Sequence, residues 1–166
     1  MDPDTSTIDE IDLEILQILQ EDARTANAEI ARRIGMAPSA IHERIRKLEE
    51  RGVVLGYSAQ VHPKALGLGL LAFMFVRANE RIGAPKTAEA LAAIPEVLEV
   101  HHITGEDCFL VKVRAADTDA LGALMKRRLG AIGTIQSTRT TIVLGTVKES
   151  TRLSTTPATP AGVNHG

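Results

Sequence analysis

Five basic side chains fall within sixteen residues of this chain: Arg32, Arg33, Arg44, Arg46 and Lys47, against the single acid Glu43. Guanidinium and ammonium groups gathered in this way suit the binding of phosphates and base edges of a nucleic acid. The preceding segment is the reverse. Met1 to Asp22 holds eight acids and no Lys or Arg. The formal net charge of the whole chain is only −2, so local segregation, rather than overall charge, points to phosphate.

Other reactive side chains form weaker constellations. His101, His102 and Cys108 lie near one turn. Adjacent histidines on a strand point to opposite faces, so at most one could join the cysteine, too few ligands for zinc. Cys108 as a nucleophile would need a paired base, and no spacing implies one. Gly67-Leu68-Gly69 lacks the Gly-Lys-Ser/Thr of a phosphate loop. Lys126, Arg127 and Arg128 read as the exposed side of a helix. No catalytic residue, metal or cofactor is therefore expected, and an enzyme is disfavoured for want of an acid/base pair.

The bases need elements to position them. Glu29 to Ile34 reads as a short helix, with Ile30 and Ile34 on one face, and Gly35 is suited to end it in the left-handed conformation. Pro38 fits the first turn of a second helix, where its missing N–H is not needed. There Ile41, Ile45 and Leu48 recur at helical spacing and face inward. Ser39, His42, Glu43, Arg46 and Lys47 are left outside. A helix held by its neighbour in this way can enter a DNA major groove. Ile8 to Asp22 predicts a supporting helix with Ile11, Ile15, Leu16 and Leu19 as its stripe. Val53 to Gln60 predicts a β-ribbon, or wing, and Val61 to Leu66 a hinge.

The chain has 166 residues, enough for two small domains. Aromatic residues make up only 2%, which disfavours stacking-based binding of single strands or RNA. One cysteine excludes an intrachain disulfide. The longest apolar run, Leu66 to Val76, is too short to span a bilayer as a helix, and no leader opens the sequence. A cytoplasmic protein without membrane contact is the expectation.

From Gly67 onward, elements alternate in type. Leu68 to Arg77, Val97 to Thr104, Cys108 to Ala115 and Thr134 to Val147 read as strands. Ala84 to Ile94 reads as a helix with Ala88, Leu91 and Ala92 inward. Thr118 to Ile132 reads as another, striped by Leu121, Leu124, Met125 and Leu129 and capped by Asp117. Phe109, Val111 and Val113 alternate with Lys112 and Arg114. This β-α-β-β-α-β order is that of a ferredoxin-like sandwich, two helices on one face of an antiparallel sheet. Its first strand is apolar on both faces: Leu71, Phe73 and Phe75 on one, Leu70, Ala72, Met74 and Val76 on the other. A sheet covered on one side only would leave one of these sets in water, so a two-fold mate is inferred as its cover. Ser150 to Gly166, rich in Thr, Pro and Ala, reads as a disordered tail.

IDEIDLEILQILQEDAR, AEIARRIG and APSAIHERIRKLEERGVVLGYSAQVHP, followed by a unit containing TGEDCFLVKV and STRTTIVLGTVKEST, together resemble the Lrp/AsnC (feast/famine) family of transcriptional regulators. The resemblance runs from about Ile8 to Arg152. It implies an α+β chain: a winged helix-turn-helix over residues 1–60, a hinge over 61–66, a ferredoxin-like effector and oligomerisation domain over 67–149, and a tail over 150–166. On the recognition helix it implies Pro38, Ser39, His42, Glu43, Arg44, Arg46 and Lys47 as contacts to double-stranded DNA. Ala37 stands where the family usually has a serine cap. The effector loop falls on Thr104, Gly105, Glu106, Asp107 and Cys108, with Thr138 and Thr140 on the last strand as hydroxyl donors to an α-carboxylate. Cys108 replaces a family aspartate that holds the ligand's ammonium, and a neutral thiol cannot pair with that group as a carboxylate does. The resemblance further implies an amino acid effector and homodimers assembling to tetramers or octamers, acting at the nucleoid. The alternative is an architectural DNA-compacting protein with weak or no effector response.

Overall fold

The computed structural model of this chain describes residues 8–80 and 84–155. The frayed end expected over Met1 to Thr7 lies outside them, as does most of the expected tail. The chain divides into two compact units. One holds the chain up to Ala59 together with the segment starting at Glu149; the other is Gln60–Lys148.

Three helices make the first unit: α1 (Glu10–Glu21), α2 (Asn27–Ile34) and α3 (Pro38–Glu50). Asp9 starts α1 with a capping box. Its carboxylate accepts the Asp12 N–H at 2.8 Å, and the Asp12 carboxylate accepts the Asp9 N–H at 3.4 Å. Gly35 ends α2 at φ 79°, the left-handed conformation that glycine adopts without a Cβ clash. Proline opens α3 as the spacing predicts. Ile15, Ile30 and Ile41, one from each helix, are completely buried, each stabilising the unit by about 1.5–3 kcal/mol. Ile45 and Leu48 join them, while Ile11, Leu16 and Leu19 are only partly buried.

The ribbon expected over Val53–Gln60 is not formed. The N–H groups of Val53 and Val54 bond back to the Leu48 carbonyl at 2.9 and 3.1 Å, and beyond them the described chain holds no strand before Leu70. The physical reason is a missing partner: a strand is stabilised by cross-strand pairs, and among the described residues no strand pairs with this segment. Leu55 is consequently 96% exposed.

The second unit is built from β1 (Leu70–Ala78), α4 (Lys86–Ala92), β2 (Val97–His102), β3 (Phe109–Ala115), α5 (Thr118–Arg127) and β4 (Ile135–Ile142). Sheet order is β2-β3-β1-β4, with all neighbours antiparallel. Ala72, Met74, Val76, Val111 and Val113 are buried with Leu91, Leu121, Leu124 and Leu129 in one core. Asp117 caps α5, accepting the Ala120 N–H at 2.8 Å. Two details differ from expectation. Ala92 is exposed, and Thr87 takes the inward place, its hydroxyl 2.6 Å from that of Thr134. The strand expected to run to Val147 ends at Ile142, leaving Leu144 and Val147 fully exposed.

Candidate nucleic-acid interface and ligand site

The exposed side of α3 carries Pro38, Ser39, His42, Arg46 and Lys47, with Glu43 half-buried among them. Asn27 of α2 reaches His42, amide nitrogen to Nδ1, at 3.3 Å. Arg44 points elsewhere. Its Nη1 donates to Asp9 Oδ2 at 2.8 Å and to Asp12 Oδ1 at 2.7 Å, fastening α3 to the capping box of α1. Asp12 is buried, and only 28% of the Arg44 side chain is exposed. The Asp12 N–H bond, then the Arg44 guanidinium, hold the Asp9 carboxyl below the usual carboxylate range.

Acids also occupy the remaining bases. Glu29 accepts from Arg32 and from Arg33 at 2.8 Å each, and these two bonds lower its carboxyl to about 2. Glu43 takes Nε and Nη2 of Arg46 at 2.9 and 2.6 Å, and Glu50 takes Nη1. The Arg46 bond, chiefly, lowers the Glu43 carboxyl to about 2. Lys47 lies 3.6 Å from Glu43. Every Arg and Lys of α2 and α3 therefore lies within 3.6 Å of a carboxylate. The basic run of the sequence is, in three dimensions, a face of alternating charge. A composition count misses this because Glu29 and Glu50 flank the run and Asp9 and Asp12 come from another helix.

In the second unit Thr104, Gly105, Glu106, Asp107 and Cys108 connect β2 to β3. Gly105 has φ 115°, where a side chain would be strained although its Cβ would meet nothing. Glu106 Oε2 accepts from Arg77 Nη2 at 2.5 Å, and Asp107 Oδ2 from Arg139 Nη2 at 3.1 Å. Arg139 also lies over the Phe75 ring, 4.2 Å from its centroid. Cys108 is fixed at the strand edge: its N–H bonds to the Val76 carbonyl at 2.8 Å, and its sulfur lies 3.5 Å from the Ala78 N and 3.6 Å from the Ala78 O.

Thr138 and Thr140 lie on the other face of the sheet from Arg139. They pair with Val76 and Met74, both completely buried on the helix side. The Thr140 hydroxyl donates to Met125 Sδ at 3.7 Å. Thr138 lines an open groove of about 540 Å³ between α5 and β4, with Gly122, Met125 and Lys126 along the helix side. The loop residues and the threonines thus share one end of the sheet but not one face. Among the described residues no group of three or more His, Cys, Asp or Glu side chains could hold a metal ion. His102 instead stacks on Phe109 at 5.2 Å.

A family model described as the Lrp/AsnC ligand binding domain matches residues 71–153, and one described as winged helix-turn-helix DNA-binding matches residues 8–54. The HTH-type transcriptional regulator FL11 of Pyrococcus horikoshii is 41% identical over 149 residues, covering 88% of this chain and 95% of the relative. This chain belongs to the Lrp/AsnC family of transcriptional regulators. The leucine-responsive regulatory protein of Escherichia coli strain K12 is 36% identical over 150 residues, 88% of this chain and 90% of that protein. Among solved structures, the L-Met complex of a transcriptional regulator from Neisseria meningitidis superposes with a TM-score of 0.83 at 32% identity, covering 89% of this chain and 97% of that one.

As an Lrp/AsnC regulator the chain combines a winged helix-turn-helix DNA-binding domain, containing α1 to α3, with a ligand-binding domain built on the four-stranded sheet. No helix among the described residues is long and apolar enough to cross a membrane. Sequence reasoning missed two residues of the reading head, Asp12 and Gln20. The first was legible in principle, since Asp9 and Asp12 have the spacing of a capping box. Gln20 carried no signal: its amide holds both backbone groups of Leu153, accepting its N–H at 2.6 Å and donating to its carbonyl at 3.1 Å.

Proposed function

We propose that this chain is an amino-acid-responsive regulator that reads duplex DNA as a two-fold pair. The observation that carries the effector class is the charge arrangement around Gly105. Two carboxylates, Glu106 and Asp107, stand beside two guanidiniums, Arg77 and Arg139. A zwitterion offers an ammonium to the first pair and a carboxylate to the second. The L-Met bound to the Neisseria regulator supports the same class. With Cys108 engaged by the backbone of β1, Asp107 and Glu106 take the role of ammonium partner, while Thr138 and Thr140, on the opposite face of the sheet, stand outside this cluster.

For DNA, the working face is Pro38, Ser39, His42, Glu43, Arg46 and Lys47, while Arg44 holds α3 in place. Pairing of the heads follows from the sheet face opposite α4 and α5. Phe73 and Phe75 lie there between Lys112, Leu110 and Arg139 and are only half-buried. A second copy on this face removes that apolar surface from water and sets two recognition helices at a fixed separation. Assembly to tetramers or octamers then gives the effector a boundary whose equilibrium it shifts by its differential affinity for the two assemblies. Action at the nucleoid in the cytoplasm, with no reaction catalysed, completes this reading. The architectural alternative is disfavoured by the carboxylates on every base of α2 and α3, because non-specific binding rests on uncompensated positive charge.

A thermal-shift screen of the purified protein against the proteinogenic amino acids, combined with mass measurement in solution, tests the proposal. One amino acid, or a narrow chemical class, raises the melting temperature of a dimer or larger assembly. No shift with any of them, or a monomer at micromolar concentration, overturns it.

A further inference from the structure

Arg46 is set apart from the other bases of the reading head by the number of its bonds. A guanidinium has five N–H donors. In Arg46 the Glu43 carboxylate takes two and the Glu50 carboxylate takes one. Among the described residues the other two meet no acceptor. Two is also the number that a bidentate contact to O6 and N7 of guanine requires. The side chain is 46% exposed and lies one turn from His42 and two from Ser39 on the outer side of α3.

The charge of this group is equally informative. Arg46 with Glu43 and Glu50 carries a formal net charge of −1, so the triad adds nothing to the general attraction of the head for phosphate. A residue meant for phosphate contact gains by being uncompensated, because affinity there comes from counterion release. A residue meant for base reading gains by being held in one plane, because its hydrogen bonds are directional.

We propose that Arg46 is a base-reading residue that recognises guanine in the major groove, and that Glu43 and Glu50 are positioning residues that hold its guanidinium and cancel its charge toward the backbone. This rests on the DNA-binding reading above and specifies which residue of that face determines sequence preference. Glu43 also bars the helix from sites that place a phosphate or a base acceptor against it.

The experiment is binding-site selection from a randomised duplex pool, followed by salt titration on the selected and on random duplexes. It uses the full-length wild-type protein and the variants R46K, R46A and E43Q. Wild-type protein enriches a guanine at one position of each half-site. R46K keeps the charge and loses the fork, so preference for that guanine falls at least fivefold while the salt slope is unchanged. R46A gives the same loss with the same slope. E43Q frees the guanidinium: affinity for random duplex rises several-fold, the slope steepens by about one, and guanine preference weakens. Equal weakening of R46A on all sequences, with a slope shallower by about one, would make Arg46 a phosphate contact and overturn this inference alone. Wild-type protein that binds no duplex in low salt would overturn the DNA-binding account and this inference together. Both side chains are 46% exposed, and unchanged circular dichroism melting of each variant shows that the comparison is between folded heads.

Discussion

Arg44 and Arg46 stand two residues apart on one helix and meet opposite surroundings. Arg44 joins α3 to a buried aspartate of α1, whereas Arg46 is held by acids of its own helix in water. The consequences for mutation are opposite. Arg44→Ala leaves Asp12 buried without its cation and should cost the reading head about 2 kcal/mol, seen as a lower urea midpoint. Arg46→Ala should leave that midpoint unchanged, since exposed pairs of this kind are worth about 0–1 kcal/mol. The pH dependence follows from the same pair. The Asp9 carboxyl is held below its ordinary value, so its contribution is complete above the normal carboxylate range and is lost as pH falls through it. Stability of the head measured from pH 6 downward should drop below about pH 4, and Asp9→Asn should flatten that drop. Helical spacing puts Arg46 on the outer side and leaves Arg44 off it, but it does not name the partners of Arg44. The partners of Arg44 lie more than thirty positions away in sequence, and only packing brings them near.

At the scale of elements, β3 was the most legible. Its strict alternation puts Phe109, Val111 and Val113 in the core and Lys112 and Arg114 on the open face. The stripe of α5 was equally plain, although the helix stops at Arg127 and a short 3₁₀ turn carries Leu129 inward. One segment departs from its sequence pattern for a physical reason that no local pattern reveals. Val53–Gln60 has strand-forming residues but no strand paired with it among the described residues. The segment from Ser150 lacks apolar periodicity, and within its described residues Gln20 clasps the Leu153 backbone and Arg152 Nη2 donates to the Glu21 carbonyl at 3.4 Å. A polar clasp on backbone groups leaves no side-chain pattern to read. Removing it with Gln20→Ala should lower the melting temperature of the head by a few degrees, and an unchanged melt would show that the clasp contributes no stability. In the ligand domain, Gly105→Val forces a β-branched side chain to a positive φ. Calorimetric titration of this variant with the responding amino acid should show weakened binding, and unaltered binding would remove the loop from the site.

For the whole molecule, the division into a reading head and a sensing domain was legible because three short helices cannot use the hundred residues that follow. The β-α-β-β-α-β order was legible because strand and helix periodicities alternate cleanly. The geometry of the candidate ligand residues is not legible in the sequence: loop acids and β4 threonines fall on different faces of one sheet, which no linear spacing encodes. The central claim is that an amino acid alters how a paired set of reading heads engages particular DNA sequences. Footprinting on duplex DNA, with and without the amino acid found in the thermal-shift screen, tests it most directly. Discrete protected half-sites about one helical turn apart, redistributed when the amino acid is added, are the predicted result. Uniform protection at all sequences, or a pattern indifferent to every amino acid, would contradict it.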